Sequence, residues 1–278
     1  MSNAGVTMMP PLVSADDLVE LGRALRALEG DSFASRLMRL FGGQMRLLSH
    51  SLPETARKAI AVATDAALRT AVRIALRSLD KTAAAAKPRV RLHQAAAAAS
   101  GALGGAFGIA ATAVELPIST TILLRSIAEI ARENGENLAN PEAGLACLNV
   151  LGFGGEPAQD GHSRYYETRE QLAGGLGDVN FLLLKQGVAV ELTPMLMPYL
   201  TRLAARFGVI VTEKLAAQAV PVVGAVGGAA VNAAFAHHFQ AMARGHFTVR
   251  RLERKYGAEA VRFEFERLRG ELTPPLAK

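Results

Sequence analysis

Three histidines towards the C-terminal end, His237, His238 and His246, are the first residues to examine for chemistry, since imidazole serves both as acid–base group and as metal ligand. Their spacing argues against a shared metal. On a helix the adjacent pair diverges by about 100°, and adding His246 does not restore a ligand spacing, so no metal site is expected. The single cysteine, Cys147, lies in the apolar stretch AGLACLNVLGF and reads as a small core residue. No GxxxxGK[ST] phosphate loop, GxGxxG, HExxH or GxSxG is present. The residues therefore assign no catalytic group and no cofactor, and a noncatalytic role is expected over an enzymatic one.

Two polar residues stand out because of where they lie. Glu115 comes seven positions after Gly108, and Asn232 four after Gly228, so each returns to the face of a glycine-rich apolar run. If those faces are buried, both side chains need partners. Arg125, His237 and His238 are the candidates for Glu115. Two readings remain open: a satisfied structural carboxylate at a helix end, or an acid–base or small-ligand site between helices. The segment EPAQDGHSRYY, residues 156–166, gathers Glu156, Asp160, His162, Arg164 and two tyrosines, which suits either a polar site or ordinary turn chemistry.

The elements that carry Glu115 and Asn232 share a hexapeptide, GALGGA at 101–106 and GAVGGA at 224–229. Gly101 with Gly105, Gly104 with Gly108, and Gly224 with Gly228 are GxxxG pairs, each leaving a stripe without side chains where another backbone can approach. The first run is long enough to span a bilayer. Its few strong lipid formers, Leu103, Phe107, Ile109 and Val114, supply only about −2 kcal/mol, against glycines and polar residues. Buried central helices are expected, with an integral membrane protein as the other reading. If the runs pair antiparallel with Gly105 opposite Gly228, Glu115 falls near Gln218; a parallel pairing puts it near His238. Valine at Gly105 or Gly228 is then expected to destabilise more than at Gly257, in what reads as an exposed tail.

The net charge of +6 is concentrated. Between Glu54 and His93 there are nine basic residues and three acidic ones, an excess equal to that of the whole chain. Arg69, Arg73, Arg77 and Lys81 recur every four residues beside an apolar face of Leu68, Val72, Leu76 and Leu79. This pattern suits a helix lying on an anionic membrane surface, and also the solvated face of a bundle helix, which is the commoner setting for it. Nucleic acid is not expected as a partner, because aromatic stacking residues are not interleaved.

Apolar spacing is helical along nearly the whole chain, so the expected fold is all-α: a helical bundle with two central glycine-striped apolar helices. Ser14 caps a first helix to about Glu29, and a second runs from Asp31 or Ser32 through Leu48. Pro53 starts a long helix to about Asp80; Asn134-Gly135 stops the helix that follows Glu115-Leu116-Pro117; Asn140-Pro141 starts a short one. The tail from Arg244 to Arg269 alternates in charge and reads as an exposed helical pair around Gly257. The organisation expected is an N-terminal helical extension over 1–50, a helical domain over 51–257 and a charged C-terminal helix and tail over 258–278. The N-terminus lacks a charged n-region and continuous h-region, so a cytoplasmic protein is expected.

Residues 90–257 resemble the bacterial EcsC protein family. The resemblance rests on SGALGGAFG followed by Glu115-Leu116-Pro117, on LLRSIAEIARENGEN, and most specifically on PVVGAVGGAAVNAAFAHHFQAMARGHFTVRRLERKYG at 221–257. It implies a helical cytoplasmic or membrane-associated protein, in a family whose founding member is encoded beside the subunits of an ABC transporter. No reaction, cofactor or catalytic residue follows from it. The expected function is a membrane-associated accessory or interaction protein, linked to transport or secretion, with an anionic membrane surface or a membrane protein such as an ABC transporter as partner. Its expected place is peripheral to the inner membrane. The alternative is an enzyme or small-ligand binder around Glu115 and Asn232.

Overall fold

The computed structural model describes residues 13–41, 54–77, 109–155, 163–176, 196–218 and 224–272. Among these are nine α-helices and no strand: α1 (Ala15–Glu29), α2 (Phe33–Phe41), α3 (Glu54–Arg77), α4 (Ile109–Glu133), α5 (Pro141–Asn149), α6 (Arg164–Ala173), α7 (Met197–Gln218), α8 (Gly224–Tyr256) and α9 (Ala258–Leu272). The protein is an all-α bundle. Gly101, Gly104, Gly105, Gly108 and Lys81 lie outside the described residues, as do the side chains of Arg73 and Arg77 and the segment 156–162.

Several ends are set by local chemistry that the sequence displays. The Ser14 hydroxyl accepts from Asp17 N at the start of α1, and the Asn140 side chain accepts from Glu142 N with Pro141 at the head of α5. Gly135 follows α4 at φ +78°, and Gly257 separates α8 from α9 at φ +90°, where a residue with a Cβ is strained.

α8 organises the rest. With 33 residues it is about 50 Å long, and it packs against α1, α2, α4, α7 and α9. Val231, Phe235, Phe239, Met242, Phe247 and Leu252 are buried along it, so the apolar run and the charged segment behind it form one continuous helix. This corrects the expectation of an exposed tail pair. Charged residues do dominate the outer side, but Val249, Leu252, Val261 and Phe265 lie within the core. The dense charge hid a 3–4 apolar spacing. Gly257, at positive φ, is also a poor control for a valine scan. The exposed Gly270 has no heavy atom within 4 Å of a built Cβ and serves better.

α4 also departs from expectation. It does not begin after Pro117 but runs through it, so Glu115 sits inside the helix rather than at its end. Proline removes one backbone hydrogen bond there. Burial of Leu116, Leu123, Leu124, Ile127 and Ile130 on the same helix offsets that loss.

α4 and α8 run parallel. Contacts advance together along both, from Glu115–Asn232 through Ser126–Gln240 to Glu136–Arg250. The register places Asn232, rather than His238 or Gln218, directly on Glu115. Gly228, one turn before Asn232, is buried.

Candidate functional site

Glu115 and Asn232 meet in a buried polar cluster with a residue the sequence reading did not include, Lys214 of α7. Lys214 Nζ lies 2.7 Å from Glu115 Oε1, and Asn232 Nδ2 donates to the same oxygen at 3.2 Å. Gln218 Nε2 donates to Asn232 Oδ1 at 3.3 Å. Lys214 is 0% exposed and Glu115 8%. The Lys214 ammonium also sits 4.8 Å from the centre of the Phe235 ring, whose face favours a cation. Burial pushes the Lys214 pKa down from its ordinary value, while the charge and hydrogen bond of Glu115 oppose that shift.

The phase of Lys214 could have revealed it. Leu203, Phe207, Ile210, Val211 and Ala217 mark the buried face of α7, and Lys214 falls on that face at a 3–4 spacing. A lysine in that phase needs an acid from another helix. Glu115 is that acid.

Further along the α4–α8 seam, Gln240 Nε2 donates to Ser126 Oγ at 2.8 Å. Between the two polar pairs lies a cavity of about 10 Å³ bordered by Ser119, Ser126, Asn232 and Gln240, with room for about one water. It is far below the volume of a small-molecule site. The arrangement ties three helices in one register and offers no space for a substrate among the described residues.

The other candidates lie elsewhere. Arg125 and His237 are exposed, on α4 and α8 respectively. His238 is fully buried against the rings of Phe33 and Phe239 and under Gly154, where a Cβ would come within 2.3 Å of the imidazole. Neither ring nitrogen has a hydrogen-bond partner of good geometry, the nearby Phe153 backbone giving only weak support to the protonated form. Burial, aided by the Arg36 charge, lowers its pKa to about 3, so the ring is neutral. His246 Nδ1 is hydrogen-bonded to Tyr165 Oη at 2.9 Å, and Arg169 joins Tyr165 Oη to Glu253. Among the described residues no three His, Cys, Asp or Glu side chains are placed to hold a metal ion.

The described part of the 156–166 segment is an internal joint. Arg164 donates to the backbone carbonyls of Leu28 and Gly30 at the end of α1, and to that of Gly155. Glu29, the last residue of α1, accepts from Ser163 Oγ and from the backbone N–H groups of Arg164 and Tyr165 at the start of α6. Each helix end is capped by the other's charge, in the sense its dipole favours.

Of the proposed surface stripe, Arg69 is exposed on α3 and paired with Asp65 one turn away at 2.7 Å. Leu68 is buried on the inner side of that helix and Val72 is partly buried.

This parallel α4–α8 pair, joined through the acid of the Glu115-Leu116-Pro117 unit and the asparagine of the GAVGGAAVN block, carries two of the elements on which the resemblance rests; SGALGGAFG lies outside the described residues. The model of the EcsC protein family matches residues 16–252. The chain belongs to the EcsC family. The match begins well upstream of residue 90 and takes in α1, in keeping with the packing of α1 along α8. No curated protein and no solved structure gives a significant match.

Proposed function

We propose that this family member is a noncatalytic accessory protein that associates peripherally with an anionic membrane surface from the cytoplasmic side. The observation that carries this reading is how α3 is docked. Ile60, Ala63, Ala67, Leu68 and Ala71 face the core, while Arg57, Lys58, Val62 and Arg69 are exposed, with Val62 at 71%. Cations flanking an uncovered apolar side chain suit a lipid headgroup layer. The pairs Lys58–Glu54 and Arg69–Asp65 are exposed one-turn contacts screened by solvent, and lipid phosphate can displace them.

Two further observations support the reading. The Glu115 cluster is closed by Lys214 and borders a space for about one water, which leaves the enzymatic alternative without a chamber. No described helix is long and apolar enough to cross a membrane, which fits adsorption better than insertion.

Sedimentation with phosphatidylglycerol-containing vesicles tests the proposal. Binding is expected at low salt, weakening as the Debye length shrinks to about 8 Å at physiological salt, and falling further when Arg57, Lys58 and Arg69 are all changed to glutamate. No binding at low salt would overturn it. Retention on native membranes without binding to protein-free vesicles would assign the contact to a membrane protein, for which transporter subunits are the first candidates on family grounds.

A further inference from the structure

α1 and α8 run antiparallel, from the contact of Asp17 with Tyr256 to that of Leu28 with Gly245. They approach closely at Gly245, where a built Cβ would stand 2.7 Å from Leu28 Cγ and 3.1 Å from the Ala24 carbonyl oxygen. Beside this crossing the small residues Ala27 and Ala241 fail to fill the space between α1, α8 and the end of α4. An open trough of about 630 Å³ results, within the range of small-molecule sites.

Its charges are unevenly matched. Arg251 is paired with Glu20 at one end. Arg23 from the α1 wall and Arg244 from the α8 floor are exposed, and neither has a carboxylate partner among the described residues. The positive side continues past the trough, since Arg244 and Arg36 both act on His237. On the far wall the backbone carbonyl of Asn134, which would repel an anion, is covered by Arg254 at 2.5 Å. Glu133 stands on that same wall, and the Thr248 hydroxyl on the floor.

Two arginines without carboxylate partners among the described residues line one space, which suits a single doubly charged group with several acceptor oxygens. A phosphate monoester carries nearly two negative charges at neutral pH and accepts forked hydrogen bonds from arginine; a lone carboxylate would leave one arginine unmatched. Glu133 can accept only from a hydroxyl or ammonium on the remainder of the ligand. We propose that the trough is a binding site for the phosphate monoester of a small hydroxyl- or amine-bearing molecule, with Arg23 and Arg244 on the phosphate and Glu133 on the polar remainder. The site is separate from the vesicle-binding face, because α3 packs chiefly on α4, α5 and α7.

The same phosphate chemistry is offered by a free ester and by a phosphatidic acid headgroup, so both are tested. Titration calorimetry of the wild-type protein with sn-glycerol 3-phosphate, with glycerol as the blank, is run beside sedimentation with phosphatidylcholine vesicles with and without phosphatidic acid, the vesicle arm and its trough substitutions all being made in the Arg57, Lys58 and Arg69 to glutamate background so that adsorption through α3 does not enter. Saturable binding of glycerol 3-phosphate is expected, weakened at least tenfold by Arg23→Ala and by Arg244→Ala and less by Arg244→Lys. Both arginines are exposed, so an unchanged melting temperature verifies the fold. Ala241→Leu fills the floor without altering charge and is expected to weaken binding as much. The triple α3 glutamate variant is expected to bind glycerol 3-phosphate normally, which separates this site from the proposed function. Binding only of phosphatidic acid vesicles, dependent on both arginines and on Ala241, assigns the lipid as the source. The proposal is overturned by no binding of either probe, by binding that survives both arginine substitutions, or by loss in the arginine variants with none in Ala241→Leu.

Discussion

The Glu115–Lys214 pair shows how a buried charge can be tolerated and yet be costly to disturb. Removing one partner strands the other in a site already closed to water, a loss of about 3–5 kcal/mol, whereas removing both leaves only a packing change. Lys214→Met is therefore expected to lower the unfolding free energy severely. Glu115→Gln with Lys214→Met should recover much of that loss, as read by a double-mutant cycle in denaturant. Additive single effects would mean that the pair is not coupled in solution. Gly154 offers a second comparison. It holds φ +83° with the His238 ring where its Cβ would be, while Gly155 next to it has open space. Gly154→Ala is expected to cost upwards of about 2 kcal/mol, by strain and by displacement of a buried ring, and Gly155→Ala under about 0.5 kcal/mol. Equal midpoints for the two variants would contradict that account.

Helix ends were the most legible part of the sequence, and what happens in mid-helix the least. Ser14, Asn140-Pro141, Asn134-Gly135 and Gly257 each act through a few neighbouring atoms, so a short stretch of sequence contains the whole cause. Pro117 signals a helix start in the sequence because its cost is local while its compensation, a row of buried leucines and isoleucines, comes from tertiary packing. Of the candidate site, Glu115 and Asn232 were readable as polar residues on apolar faces, but their partner on α7 depends on a third helix that periodicity cannot position. The α1–α6 joint has the same origin. Glu29 and Arg164 are 135 positions apart, so no local pattern links the end of the first helix to the polar segment that contains Arg164. Glu29→Ala is expected to remove the cap from three donors at the head of α6 and to cost about 1–2 kcal/mol. Amide exchange at Arg164 and Tyr165 is expected to accelerate more than exchange in α8. Protection unchanged at those two amides would show that the joint is dispensable.

For the molecule as a whole, the buried histidines set the response to acid. His238 is held near a pKa of about 3 by burial, with Arg36, Arg164 and His237 adding to the effect, and His246 is held well below its ordinary value by burial with Arg169 and Arg250 behind it. A depressed folded pKa means that the unfolded chain binds the proton first, so the stability these residues contribute is complete above about pH 6.5 and is lost as pH falls towards their folded values. With both rings involved, unfolding takes up extra protons as the pH falls, so stability should decline progressively below about pH 6.5. Asp17 enters only at the bottom of that range. Lys255, Tyr256 and Ser14 hold its pKa at about 2 instead of 3.8, so its contribution is intact above pH 4 and disappears as pH drops through 2. Melting curves from pH 8 to pH 3 should therefore show an early decline beginning near pH 6.5, well above carboxylate titration. Replacing His238 by phenylalanine, which can occupy the same aromatic pocket between Phe33 and Phe239, should reduce the slope by about half. A wild-type melting temperature flat down to pH 4.5 would mean that the two rings are solvated in the folded protein, and that the packing of α8 against α2 and α6 is looser than the geometry requires.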